Sequence, residues 1–162
     1  MKLYINDLSI NITGNNKNKA VIFVHGFPYN HKMWDKQIEY FNKIYECISY
    51  DVRGLGASEV GDGQYTMEKY AEDLFSIIDK LKLETPILCG LSMGGYLSYR
   101  AIEINQSAFN SVIFCDTKAQ SDSDEIKLIR ANDLGIRIFL KKVMIGFILW
   151  SFFKINNGQK EK

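Results

Sequence analysis

Short apolar blocks alternate with polar, glycine-bearing breaks along most of the chain, and the period of the blocks switches between about 2 and about 3.6. Leu3-Tyr4-Ile5 and residues 8–12 flank Asn6-Asp7, a pair that tolerates positive φ, which predicts a β-hairpin. Residues 14–19 read as a polar loop. Residues 20–24 (AVIFV) are apolar throughout, as expected of a strand buried on both faces. Trp34, Ile38 and Phe41 then recur at helical spacing, and residues 45–50 predict the next strand. A glycine-rich loop over 51–63 leads to Thr66, a candidate N-cap. The helix after it carries Met67, Tyr70, Ala71, Leu74, Ile77, Ile78 and Leu81 on one stripe, with Glu68, Glu72, Asp73 and Asp79 mostly elsewhere. Pro86 opens a strand at 87–89. Residues 90–95 turn into a helix with Leu97, Ala101 and Ile104 facing inward. Residues 112–115 predict one more buried strand, ending at Asp116.

Strands alternating with amphipathic helices imply right-handed βαβ crossovers. The fold class expected is therefore α/β, a doubly wound, mostly parallel sheet with a β-hairpin at its start. At 162 residues the chain fits one domain of that kind. Twenty basic against nineteen acidic residues leave a net charge of +1, so no electrostatic footprint for nucleic acid is present. Cys47, Cys89 and Cys115 are scattered in apolar runs without CxxC spacing, which suggests reduced thiols and a cytoplasmic protein. The longest apolar run, residues 143–153, falls short of the ~20 residues of a transmembrane span. Lys141, Lys142 and Lys154 flank it and leave weak membrane-surface association conceivable. No His/Cys/Asp cluster has metal-ligand spacing, and no cofactor or metal is expected. A dinucleotide fold is disfavoured, because no G-x-G-x-x-G follows the first buried strand.

Gly90-Leu91-Ser92-Met93-Gly94 matches G-x-S-x-G between a predicted strand and a predicted helix. A serine on so sharp a turn takes a strained backbone, and glycines at 90 and 94 remove the Cβ atoms that would collide. Ser92 is thereby placed above the carboxyl ends of the strands, at the N-terminus of a helix that favours developing negative charge. His25-Gly26-Phe27-Pro28 follows the first buried strand, and the N–H groups of Phe27 and Met93 are candidates to hold an oxyanion. Asp51-Val52-Arg53-Gly54-Leu55-Gly56-Ala57-Ser58 follows the next strand. These three motifs, in this order, resemble the α/β-hydrolase superfamily over about residues 1–135. The resemblance is strongest to its serine-nucleophile branch of small esterases, haloperoxidase-like enzymes and carbon–carbon-bond hydrolases. It implies Ser92 as nucleophile, Phe27 and Met93 as the oxyanion hole, and supporting roles for His25, Gly26, Gly90 and Gly94. Asp51 and Arg53 would tie loops together. A small ester-like molecule would be the substrate.

A serine needs a base to take its proton, and the family order is Ser, then Asp or Glu, then His. The two histidines, His25 and His31, both precede Ser92. His25 is expected to be structural and His31 to lie on the surface or the pocket rim. Asp116 is a candidate acid with no base to orient, and a loop or cap role is favoured for it. Residues 1–118 are expected to form the N-terminal part of the core. Residues 119–162 are expected to start a cap-like helical region over 121–133, with Ser123 as a possible N-cap, before an atypical apolar tail and a frayed end at 156–162. This break in pattern leads to the expectation of a truncated or frameshifted product, impaired in catalysis. Self-association through an exposed sheet edge and the apolar tail would follow. The competing reading is a catalytically inactive fragment that serves as a binding or interaction module.

Overall fold

The computed structural model describes residues 1–14 and 19–118. The expectations for residues 15–18, for the cap-like helix over 121–133, for the apolar stretch 143–153 and for the end of the chain lie outside the described residues. Strands β1 (Lys2–Ile5) and β2 (Leu8–Thr13) form the expected hairpin. Asn6 and Asp7 turn it with φ of 46° and 64°, the positive pair that a two-residue loop between twisted strands demands. β3 (Ala20–Val24), β4 (Glu46–Tyr50), β5 (Ile87–Leu91) and β6 (Ser111–Cys115) run parallel to one another. The six-stranded order is β1-β2-β4-β3-β5-β6, with β2 antiparallel to β4.

β3 shows why its sequence is apolar throughout. Ile22 and Val24 enter one core, while Val21 and Phe23 enter the other. On the first face lie α2 (Met67–Leu81) and α3 (Met93–Asn105), through Leu74, Ile77, Leu97 and Ala101. On the second face a 3₁₀ turn (His31–Trp34) leads into α1 (Asp35–Phe41), and Trp34 packs on Phe23 with ring centroids 5.2 Å apart. Thr66 caps α2 by accepting the Lys69 N–H at 3.2 Å. From β3 the chain winds to β4 on one side, then crosses to β5 and β6 on the other. The order therefore reverses between β3 and β5, the place where open α/β sheets bind ligands.

Three expectations fail. β6 is not buried on both faces: Ile113 and Phe114 are exposed, because among the described residues β6 pairs only with β5 and is an edge. Ile104 is half exposed rather than inward. The buried stripe of α3 is Gly94, Leu97, Ser98 and Ala101, and Ile104 lies in the last turn beyond it. Asp73 is buried within the face of α2 that also carries Tyr70, Leu74 and Ile77, since Arg53 reaches it from the loop after β4.

Candidate active site

Ser92 is the single residue between β5 and α3, and it lies against the loop after β3 and the end of β6. Its φ of 49° and ψ of −110° lie where a side chain is disfavoured, so the backbone around it must hold it there. It is held on both sides. The Ser92 N–H donates to the Cys115 carbonyl at 3.0 Å, and the Ser92 carbonyl accepts from Gly95 N–H, Tyr96 N–H and Thr117 Oγ1 at 2.9, 3.2 and 3.1 Å. The glycines are required by space. A Cβ at Gly90 would collide with the Gly94 carbonyl and Ser98 Oγ, and one at Gly94 with the carbonyls of Val24 and His25. One at Gly95 would meet the Thr117 side chain at 2.5 Å. Among the described residues, Ser92 Oγ has no hydrogen-bond partner.

The loop after β3 lies against this elbow. A Cβ on Gly26 would stand 2.8 Å from Leu91 Cδ2 and 3.4 Å from Ser92 Cβ. The N–H groups of Phe27 and Met93 find no acceptor among the described residues. Met93 opens α3 and Phe27 follows Gly26, so both free donors belong to segments next to Ser92, and free N–H donors suit an oxygen that becomes negative.

His25 is fully buried. Its Nδ1–H donates to the Gly26 carbonyl and its Nε2 accepts from the Val52 N–H, both at 2.9 Å. Both ring nitrogens are committed, which leaves no lone pair for Ser92. Burial pushes its pKa down, more than the Gly26 bond and the Asp51 charge push it up. The fold therefore favours the neutral ring. The contribution of His25 to stability is complete above about pH 6.5 and is lost as pH falls from there through the lowered value. The urea midpoint of the chain is expected to fall between about pH 7 and pH 5, and His25→Ala, though less stable overall, to show a flatter profile. An unchanged slope in the variant would contradict this assignment.

His31 opens the 3₁₀ turn and is partly buried. Its side chain is mostly buried, and its Nδ1 bonds Asp51 Oδ1 at 2.7 Å, the same oxygen that accepts the His31 N–H at 2.7 Å. Asp51 Oδ2 accepts the Ala57 N–H at 2.8 Å, and the Asp51 carbonyl accepts Ser58 Oγ at 2.5 Å. Burial would raise the Asp51 pKa, but the hydrogen bonds from Ala57 and His31 outweigh it and hold the carboxyl below its usual range. Asp51 thus joins the loop after β3 to the loop after β4. Arg53 joins the latter to α2, through a fork on Asp73 at 2.7 and 2.8 Å and a bond to Asp62 at 2.7 Å. Asp116, at the end of β6 with φ of 43°, is exposed. The roles of Cys115, Thr117 and Asp73 escaped the sequence reading, since each acts across 20 or more residues with no local signal.

The family model described as the alpha/beta hydrolase fold matches residues 19–141. The chain is 37% identical over 102 residues to 3-oxoadipate enol-lactonase 2 of Acinetobacter baylyi, an alignment that covers 62% of this chain and 38% of that protein. Among solved structures it resembles a thermophilic esterase from Thermogutta terrifontis at 34% identity and a TM-score of 0.74, covering 80% of this chain and 50% of the other. It also resembles the enol-lactonase from Burkholderia xenovorans at 27% identity and a TM-score of 0.70, covering 81% and 52%. The chain belongs to the alpha/beta hydrolase fold family. It spans between about two fifths and half the length of these relatives. No helix among the described residues is long and apolar enough to cross a membrane.

Proposed function

We propose that Ser92 is the nucleophile of a serine hydrolase site for a small ester or related carbonyl compound. One observation carries the reading: a partly exposed serine at φ 49°, ψ −110°, with the unpaired N–H groups of Phe27 and Met93 in the segments next to it. Oγ would attack the carbonyl carbon, its proton would pass to water or hydroxide, and the oxygen of the tetrahedral intermediate would accept from the two N–H groups. The likeness to an enol-lactonase and an esterase supports a carbonyl substrate of that class. The 162-residue chain is expected to turn over slowly. Both nitrogens of His25 are occupied, His31 is tied to Asp51, and the sequence has no third histidine. An oxyanion hole without its base leaves only part of the usual acceleration. Hydrolysis of p-nitrophenyl acetate should be weak and should fall further in Ser92→Ala. Fast hydrolysis, abolished by that substitution, would show that a base has been overlooked. Fast hydrolysis indifferent to it would remove Ser92 from the chemistry.

We propose further that the 162-residue chain self-associates through the β6 edge, where Ile113 and Phe114 are exposed. Sedimentation should be concentration-dependent. A single concentration-independent monomer boundary would contradict this.

A further inference from the structure

The chain brings two thiols together beneath the elbow. Cys89 on β5 and Cys115 at the end of β6 are 26 residues apart, yet their sulfurs are 3.9 Å apart on the sheet face that carries Val21, Phe23 and Trp34. Cys89 is buried and Cys115 half-buried, so the pair is open on the Cys115 side. We propose that Cys89 and Cys115 form a two-thiolate site for a soft, thiophilic metal ion of the Cu(I) class.

Geometry separates this from a disulfide. Cys89 is level with Ile113, and Cys115 is level with Leu91, so the two cysteines are offset by two residues on neighbouring strands. A strand spacing of about 4.8 Å and a rise of about 3.3 Å per residue put their Cα atoms about 8 Å apart. A disulfide accepts at most about 7 Å without backbone movement. Two metal–sulfur bonds at the zinc–thiolate length of about 2.3 Å, by contrast, span about 3.8 Å at a tetrahedral angle and about 4.6 Å when linear. The observed separation lies in that interval.

The ligand set chooses the ion. Among the described residues no third His, Cys, Asp or Glu joins the pair. Cys47 sits on β4, with β3 between it and β5, and its thiol faces the Tyr45 carbonyl. Two soft sulfurs without a cage of further ligands favour a soft ion of low coordination number over Zn(II), which takes four ligands. Binding breaks two S–H bonds, forms two metal–sulfur bonds and releases two protons to solvent, with no change of oxidation state. Each metal–sulfur bond replaces a thiol proton, so affinity should rise with pH. The site also bears on the elbow, because the carbonyl of Cys115 holds the Ser92 N–H.

The test titrates the reduced, full chain with Cu(I) under anaerobic conditions against a chromogenic Cu(I) chelator. One equivalent should bind, and Cys89→Ser and Cys115→Ser should each weaken it by about 100-fold or more, as expected when one of two linked ligands is lost. Cys47→Ser should bind as the wild type does. X-ray absorption at the copper edge of the wild-type complex, which needs no variant to fold, should show sulfur neighbours. Undiminished binding in Cys115→Ser, or a copper environment without sulfur, would overturn the proposal. So would rapid loss of both thiols to diamide with a disulfide mass, since that would show the pair closing on itself.

Discussion

Asp73→Ala is expected to lower the free energy of unfolding by about 3 kcal/mol or more, a large part of the 5–15 kcal/mol that holds a typical domain. Arg53, 9% exposed, would lose the carboxylate that its guanidinium grips with Nε and Nη2. Removing one partner of a buried pair strands the other charge away from water, which costs more than the pair contributes when intact. Asp62 would remain on Nη1, but it is nearly half exposed and reaches one nitrogen only. The double variant Arg53→Met, Asp73→Leu should recover most of the loss, because it leaves no buried charge behind, Asp62 being nearly half exposed. Urea unfolding of the three proteins checks this. A single variant within about 0.5 kcal/mol of wild type would mean that the fork contributes little.

The second large effect falls on the elbow. Gly94→Val should unfold the chain or destabilise it by about 3 kcal/mol or more, at or beyond the upper end of overpacking. Its Cβ would be driven into the carbonyls of Val24 and His25, which are backbone at the end of the central strand and cannot rotate away. Gly63→Ala is the control. Its Cβ would meet nothing within 4 Å, and only its φ of +75° opposes a side chain. About 1 kcal/mol is expected there. A loss at Gly94 no larger than the loss at Gly63 would show that the close approach of elbow and strand contributes little.

The contrast between these two sites shows what the sequence makes legible. The elbow is local: glycine, serine and glycine within five residues, between an apolar strand and a helix, state their own geometry. The same holds for the Asn6-Asp7 turn, the Thr66 cap and the all-apolar β3. Arg53 and Asp73 are 20 residues apart, His31 and Asp51 also 20, Cys89 and Cys115 26. No periodicity encodes such meetings, which the sheet order alone creates. Asp73 looks like a solvent-facing residue of an amphipathic helix until Arg53 is placed over it. β6 reads as buried because its residues are apolar, and composition does not reveal whether a strand has one neighbour or two. Ile104 misleads in the same way, since spacing cannot say where a helix runs past the sheet beneath it.

The hydroxyl of Ser92 and its two waiting N–H groups are proposed to be ready for acyl transfer, with the proton acceptor lacking from the 162 residues. Acetylation of Ser92 by p-nitrophenyl acetate, followed by peptide mass spectrometry across a range of pH, tests this most directly. The account predicts one acetyl group on the Ser92 peptide, formed slowly, at a rate that climbs steadily toward alkaline pH with no step in the range where an imidazole titrates, near pH 6–7. An unmodified Ser92, or rapid acetylation with an inflection in that range, would contradict it.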